Sequence, residues 1–275
     1  RIDVPAGCAV EVLVVDNDAD RSAEALVRDC ASGFRFPLHY AVEPVPGLAS
    51  VRNRVLAEAG DRHAQWLAGF DDDEQPRTGW LTAYLDARAQ YAVPLLTGPV
   101  RPIDEDGQPL AFHEKYRDGA EPRHVAGNNF MIDVSALLAT GERFDPRFDF
   151  IGGEDFDFFY RLRAAGLRAV WVSRALVEET VPAARASLAY LVFRNYTGAM
   201  NNVVFYRKYH GALDTLAHFF VKALGKALGT LTGVFAAIVT LNPARFRKAL
   251  ARAATAAGYV AALAGFRRER YRPPE

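Results

Sequence analysis

The chain has 275 residues, half of them hydrophobic and 24% charged, which excludes disordered, collagen-like and disulfide-scaffold proteins and fits one large domain plus an appendage. Cys8 and Cys30 are the two cysteines, too few for a stapled framework or a four-thiolate zinc site, so a reducing compartment is expected. The zero net charge hides a split: residues 1–206 carry 21 Lys+Arg against 30 Asp+Glu, and residues 207–275 carry 12 against 3. The acidic front part argues against nucleic acid as a partner, and the basic, apolar tail points to a membrane surface.

No secretory signal is read in Arg1–Cys8, which holds a proline and no apolar core segment. Val10–Val15 is an apolar, β-branched run ending in Asp16-Asn17-Asp18, and it predicts a buried parallel strand. Ser22–Cys30 predicts a helix capped by Ser22 or Asp20, and Phe36–Val42 a second strand. Gly47–Ala59 has helical apolar spacing, and Gln65–Phe70 is a third strand that runs into Asp71-Asp72-Asp73-Glu74. Trp80–Ala92 reads as a helix, Leu95–Val100 as a strand and 101–125 as a long loop. Gly127–Ser135 reads as a short strand, Phe156–Ala165 as an amphipathic helix closed by Gly166, and Ala169–Val172 as a last strand. Alternating strands and helices predict a parallel α/β sheet covered on both faces, with ligands at the carboxyl ends of the strands. Both acidic clusters fall at such ends.

The tail has another pattern. Eighteen residues between Lys226 and Arg245 lack charge, and a second apolar stretch, Ala253–Phe266, follows Arg245, Arg247, Lys248 and Arg252. Each is shorter than the ~20 residues a helix needs to cross a bilayer. Gly225, Gly229 and Gly233 recur every four residues, a spacing that permits close helix packing.

Several carboxylates within four residues repel one another, a cost that a cation or solvent offsets. In an extended segment alternate side chains share a side, so Asp71 and Asp73 could serve one Mg²⁺ or Mn²⁺; a solvated acidic turn before Pro76 is the alternative. Glu154-Asp155, after Gly152-Gly153, either caps a helix start or supplies a general base. Arg52, one turn into the helix after Gly47, either meets a phosphate or sits on the surface.

Taken together, VVDND (14–18), GLASVRN (47–53), FDDDEQP (70–76), GNNFMI (127–132) and GGEDFDFFYRL (152–162) resemble, in order and spacing, the family 2 inverting glycosyltransferases. The likeness extends to bacterial exopolysaccharide glucosyltransferases of the succinoglycan type, which share the stretch at Ala175–Leu191 and a basic, apolar tail. The resemblance implies a GT-A fold, an α/β architecture with a Rossmann-like, mostly parallel sheet flanked by helices. With the charge split, residues 1–206 are expected to be the catalytic domain and 207–275 a helical membrane-associating tail. The resemblance also implies a chain that begins after the family's usual first strand.

The resemblance further implies roles. Asp16 would contact the nucleotide base, Arg52 would hold the nucleotide, and Asp71 and Asp73 would form a DxD motif, with Asp73 on the metal and Asp71 on ribose or metal. Asp155 would be the catalytic base, with Glu154 positioning the acceptor. Asn128, Asn129 and Gly153 would line the sugar and acceptor pocket. Where relatives place a histidine, this chain has Glu178, a further oxygen donor for the cation.

The implied reaction moves a hexose from a UDP-sugar to a polyprenyl-diphosphate-linked saccharide with a divalent cation. The place is the cytoplasmic face of the inner membrane, held peripherally or by a shallow helical hairpin, and the tail could also join copies into a homo-oligomer. A nucleotidyltransferase and a non-catalytic, membrane-tethered sugar-binding module are the alternatives.

Overall fold

The structure, a computed structural model, describes residues 2–271. The chain forms two units. One contains the residues up to Phe150, Glu154–Thr180 and Tyr271; the other contains Ile151–Gly153 and Val181–Arg270.

The first unit begins with β1 (Val12–Asp16), α1 (Glu24–Ala31), β2 (Leu38–Val42) and α2 (Leu48–Asp61). β1 and β2 pair in parallel, Val12 opposite Leu38 and Asp16 opposite Val42. Neither Ser22 nor Asp20 caps α1: Ala23 stands at the cap position, and its N–H is taken by the Asp16 carboxylate at 2.9 Å.

β3 (Trp66–Phe70), β4 (Glu74–Pro76), α3 (Trp80–Tyr91), β5 (Leu95–Thr97), β6 (Val100–Ile103), β7 (Asn129–Asp133), α4 (Val134–Thr140), α5 (Glu154–Ala164), β8 (Ala169–Trp171) and β9 (Val177–Thr180) follow. The sheets are mixed, a correction to the parallel sheet expected. In the order β3-β7-β5-β8, β7 runs antiparallel to both β3 and β5, and β8 is parallel to β5. A third sheet has the order β4-β9-β6, with β4 antiparallel and β6 parallel to β9. The segment 104–128 supplies no crossover helix, so the chain re-enters between β3 and β5 running the other way.

The expected strand Leu95–Val100 breaks in two at Gly98. A methyl group there would lie 2.3 Å from the Ala175 carbonyl, and the chain leaves one sheet for the other. Two cores result, one around Leu56, Ile132, Phe158 and Leu162, the other around Trp80, Tyr84, Leu96 and Met131. Gly166, at φ +94°, ends α5 as expected, with Leu167 N–H returned to the Leu162 carbonyl at 3.0 Å.

The second unit is helical. α6 (Leu188–Thr240) is interrupted only at Gly211, whose φ of 75° and ψ of 178° divide it into 188–210 and 212–240; α7 (Pro243–Leu263) follows. The charge-free run therefore does not stand alone as a short segment. Up to Thr240 it is the end of a helix that by length and composition could cross a membrane, with 11% of the helix's apolar window buried. Asn242 caps α7 through Ala244 N–H at 2.9 Å. Ala199, Met200, Val203, Phe219, Ala223, Tyr259 and Ala262 form the core of the three helical segments. The glycine spacing works as expected at two of three positions. A methyl at Gly233 would sit 3.2 Å from Ala249, and one at Gly229 3.7 Å from Arg252, whereas Gly225 faces open space.

Candidate functional site

Four strand and helix ends of the first unit build the site. At the end of β1, the Asp16 carboxylate accepts from Tyr40 Oη at 2.7 Å, Ala23 N–H at 2.9 Å and Asp18 N–H at 3.0 Å. Burial would raise this carboxyl, but the three donors prevail and hold it below its ordinary value. Next to it, Asn17 accepts from Gly47 N–H at 2.8 Å and donates to the Glu43 and Val45 carbonyls, so the loop entering α2 is fixed on β1.

Gly47 stands at φ +143° before α2, and a side chain there would overlap the Asp149 carboxylate. That carboxylate accepts from Ser50 N–H at 2.8 Å and Ser50 Oγ at 3.1 Å, capping α2 from ninety-nine residues away. One turn on, the Arg52 guanidinium lies 3.3 Å from Glu154 Oε1 and 3.5 Å from Asp71 Oδ1. It joins the end of β3 to the start of α5.

Beyond β3, Asp71, Asp73 and Glu74 bring carboxylate oxygens within 4.8 Å of one another. Asp71 is raised above its ordinary value, first by burial and then, against the pull of Arg52, by the charges of Asp73, Asp155 and Asp72. Glu74 is buried and its carboxyl is pushed up to about 8, chiefly by burial. Its two oxygens accept from Asp71 N–H at 2.8 Å and Asn128 Nδ2 at 2.6 Å. Glu74 has no role from the FDDDEQP motif alone. Its structural part is to shape the turn that aims Asp71 and to hold Asn128 beside it.

α5 opens with Glu154, Asp155 and Asp157 in its first turn, where the helix dipole favours acids. Glu154 is 3% exposed. Burial, and then the nearby Asp155 and Asp71 charges, raise it to about 7 against the attraction of Arg52. Asp155 accepts from Phe156 N–H at 2.7 Å and Gly127 N–H at 3.0 Å. Gly127 has to be a glycine: a methyl there would lie 1.9 Å from Arg52 Nη1 and 2.8 Å from Asp155 Cβ. The only signal for this close approach was its place before Asn128-Asn129. Gly153, at φ +91°, belongs to the second unit and adjoins Glu154 through the chain.

Two expected site residues lie elsewhere. Asn129 is fully buried; Trp80 Nε1 (2.9 Å) and Tyr84 Oη (2.6 Å) donate to its oxygen, and its amide donates to the Pro99 (2.9 Å) and Ala175 (2.8 Å) carbonyls. All its polar capacity is spent within the protein. Glu178 faces Arg77 at 3.1 Å and also pairs with Arg101, and it stays outside the Asp71–Glu74 cluster. The structure thus gathers Arg52, Asp71, Asp73, Asn128, Glu154 and Asp155.

The donor set at Asp71 and Asp73 is all carboxylate oxygen, partly open to solvent, and burial followed by repulsion among the acids raises Asp71. Such a set fits a hard divalent cation of the Mg²⁺ or Mn²⁺ kind. Glu74 lies in the same cluster, and the hydrogen bonds that its two oxygens accept orient this pair.

The glycosyl transferase family 2 profile matches residues 6–137. Succinoglycan biosynthesis protein ExoM of Rhizobium meliloti (strain 1021) is 30% identical over 275 residues, spanning 97% of this chain and 86% of that protein. The chain belongs to glycosyl transferase family 2. Its GT-A-like fold is shared with two solved glycosyltransferase structures. Mannosyltransferase PcManGT from Pyrobaculum calidifontis, in complex with GDP-Man and Mn²⁺, is 18% identical with a TM-score of 0.57, over 92% of this chain and 77% of that one. S. aureus TarS 1-349 in complex with UDP-GlcNAc is 12% identical with a TM-score of 0.52, over 93% of this chain and 83% of that one. The five motifs of this glycosyltransferase therefore lie on the fold that the sequence resemblance implied.

Proposed function

We propose that this family 2 glycosyltransferase inverts the anomeric centre of a UDP-hexose and passes the hexose to a polyprenyl-diphosphate-linked saccharide during exopolysaccharide synthesis. One observation carries the reading: Arg52 bridges Asp71 and Glu154, which sets the carboxylate cluster beside the start of α5. Asp71 and Asp73 would hold a divalent cation, which when bound neutralises charge on the diphosphate leaving group.

Asp155 takes the proton of the acceptor hydroxyl. The oxygen forms the new glycosidic bond at the anomeric carbon as the bond to the diphosphate breaks on the opposite face, and UDP departs. Asp155 suits this role better than Glu154, which is too deeply buried to receive an acceptor proton directly. Glu154 instead fixes Arg52, which faces the negative charge around Asp71. Asn128, anchored by Glu74, is a donor at the same edge, and Asp16 lies at the nucleotide end. The setting is the cytoplasmic membrane face, with α6 and α7 as the membrane-associating part.

The test is a panel of UDP-sugars incubated with the full chain, with Mn²⁺ or a chelator, and with a lipid-linked saccharide fraction. Cation-dependent release of UDP and appearance of a β- from an α-linked sugar support the reading. Pyrophosphate release indicates a nucleotidyltransferase, and sugar binding without UDP release indicates a binding module.

A further inference from the structure

We infer that the outer face of residues 212–240 of α6 is a lipid-binding surface that lies flat in the headgroup region of an anionic membrane and does not cross it. This rests on the membrane-associated reading above, and it specifies which surface meets the lipid and at what depth.

Leu213, Leu216, Phe220, Leu224, Leu231 and Phe235 are all exposed, from 51% at Leu216 to 84% at Leu213. At 100° per residue they form one stripe, while Thr215, Phe219, Ala223 and Ala237 are buried along the face that adjoins it. From Leu213 to Ile238 the stripe runs about 38 Å at 1.5 Å per residue. Lys222 and Lys226 leave this helix away from the stripe.

A crossing orientation meets an obstacle in α7. Gly233 packs against Ala249, and Arg252 Nη1 donates to the Gly229 carbonyl at 3.0 Å, so α7 runs back beside the charge-free end of α6. Arg245, Arg247, Lys248 and Arg252 are exposed on α7 at the level of that uncharged run. Crossing would draw four cations into hydrocarbon, whereas lying flat leaves them at the phosphates, with their stems along the apolar boundary.

Charge decides the occupant. Between Val181 and Arg270 there are 13 Lys+Arg and 2 Asp+Glu. A second copy would bring the same excess to the contact, whereas anionic headgroups offset it.

The experiment uses the full chain with Cys8 and Cys30 replaced by Ser. Single cysteines at Leu216, Leu231 or Ile238 carry an environment-sensitive fluorophore, and phosphatidylcholine/phosphatidylglycerol vesicles carry nitroxide quenchers at shallow or deep acyl positions. The surface proposed here gives equal, shallow quenching at all three sites and salt-sensitive flotation that pure phosphatidylcholine does not support. Phe220→Asp/Leu231→Asp/Phe235→Asp should lower vesicle partitioning by about tenfold or more while the far-UV circular dichroism of the native chain is retained. A depth gradient from Leu216 to Ile238, flotation unchanged by the triple substitution, or a salt-resistant dimer that the substitution dissolves in the absence of vesicle binding would each overturn the inference. The quenching profile is read on single-cysteine proteins, so it stands even if the triple variant misfolds. Neither readout involves sugar transfer, so failure here is separate from failure of the enzymatic reading.

Discussion

Glu154→Gln should abolish a pH dependence of stability that runs opposite to ordinary acid denaturation. Glu154 is buried, and its carboxyl titrates at about 7 in the fold against 4.5 for an unperturbed glutamate. Between those values the unfolded chain has released this proton and the folded protein still holds it. The contribution is therefore fully present below about 4.5 and is lost as pH rises through about 7. At about 1.36 kcal/mol per pH unit the ceiling is about 3 kcal/mol, and sharing of protons with Asp71 and Asp155 lowers it. Glutamine keeps the shape, stays neutral, and leaves Arg52 its contact with Asp71 at 3.5 Å.

The assay is urea unfolding from about pH 5 to about pH 8 in chelator, followed by tryptophan fluorescence. Trp66, Trp80 and Trp171 all lie in the unit that holds Glu154, so the signal reports that unit. The difference between variant and native protein should be small at the acid end and grow in favour of the variant, by up to about 3 kcal/mol, toward pH 8. A difference that does not vary with pH would refute the reasoning, because it would mean that Glu154 is already ionised throughout.

Asp155→Asn should lower transfer by about 10²–10⁴-fold while calorimetric UDP binding is retained, and near-normal turnover would remove Asp155 as the base. Gly127→Ala places a methyl 1.9 Å from Arg52 Nη1. It should displace the guanidinium and lower kcat by more than about tenfold, at a folding cost of about 1–3 kcal/mol; steady-state kinetics and urea unfolding measure the two effects. Asn129→Ala strands the Trp80 and Tyr84 donors and the Pro99 and Ala175 carbonyls. Its expected loss is about 3 kcal/mol or more in the same unfolding assay, with UDP binding by the folded fraction weakened only modestly.

What the sequence disclosed was whatever short-range pattern controls. The β-branched run located β1 and the apolar run located β3, and the acids that follow them lie at the carboxyl ends of strands, as the α/β reading required. The structure keeps Asp71 and Asp73 in one cluster, but a turn closed by Glu74 brings them together, not the alternation of an extended strand. Less legible were features decided by partners far along the chain. The antiparallel course of β7 depends on where 104–128 returns, and periodicity carries no direction. The α2 cap comes from Asp149 and the first N–H held at α1 from Asp16, so a search for a cap among the residues just before each helix finds neither. Likewise the charge-free run gave its own length, but not that the helix begins at Leu188.

Asn128 and Asn129 show how far two neighbours diverge where a turn meets a strand. Asn129 is the first residue of β7, whereas Asn128 lies in the turn before it, so the two side chains leave the backbone under different local geometry. The structure sends Asn128 to Glu74, at the edge of the carboxylate cluster, and Asn129 into the core among Trp80 and Tyr84. The same division explains why the pair is useful. The buried amide ties β7 to α3 and to the Pro99 and Ala175 carbonyls, and that rigid strand start holds its neighbour in place beside Glu74. Glu74 in turn grips the Asp71 N–H, so the buried network and the turn that aims the metal-binding acids are mechanically one piece. An amide lost from the core should then disturb the turn only by loosening this piece, and a change at Asn128 should disturb the turn while leaving the core intact.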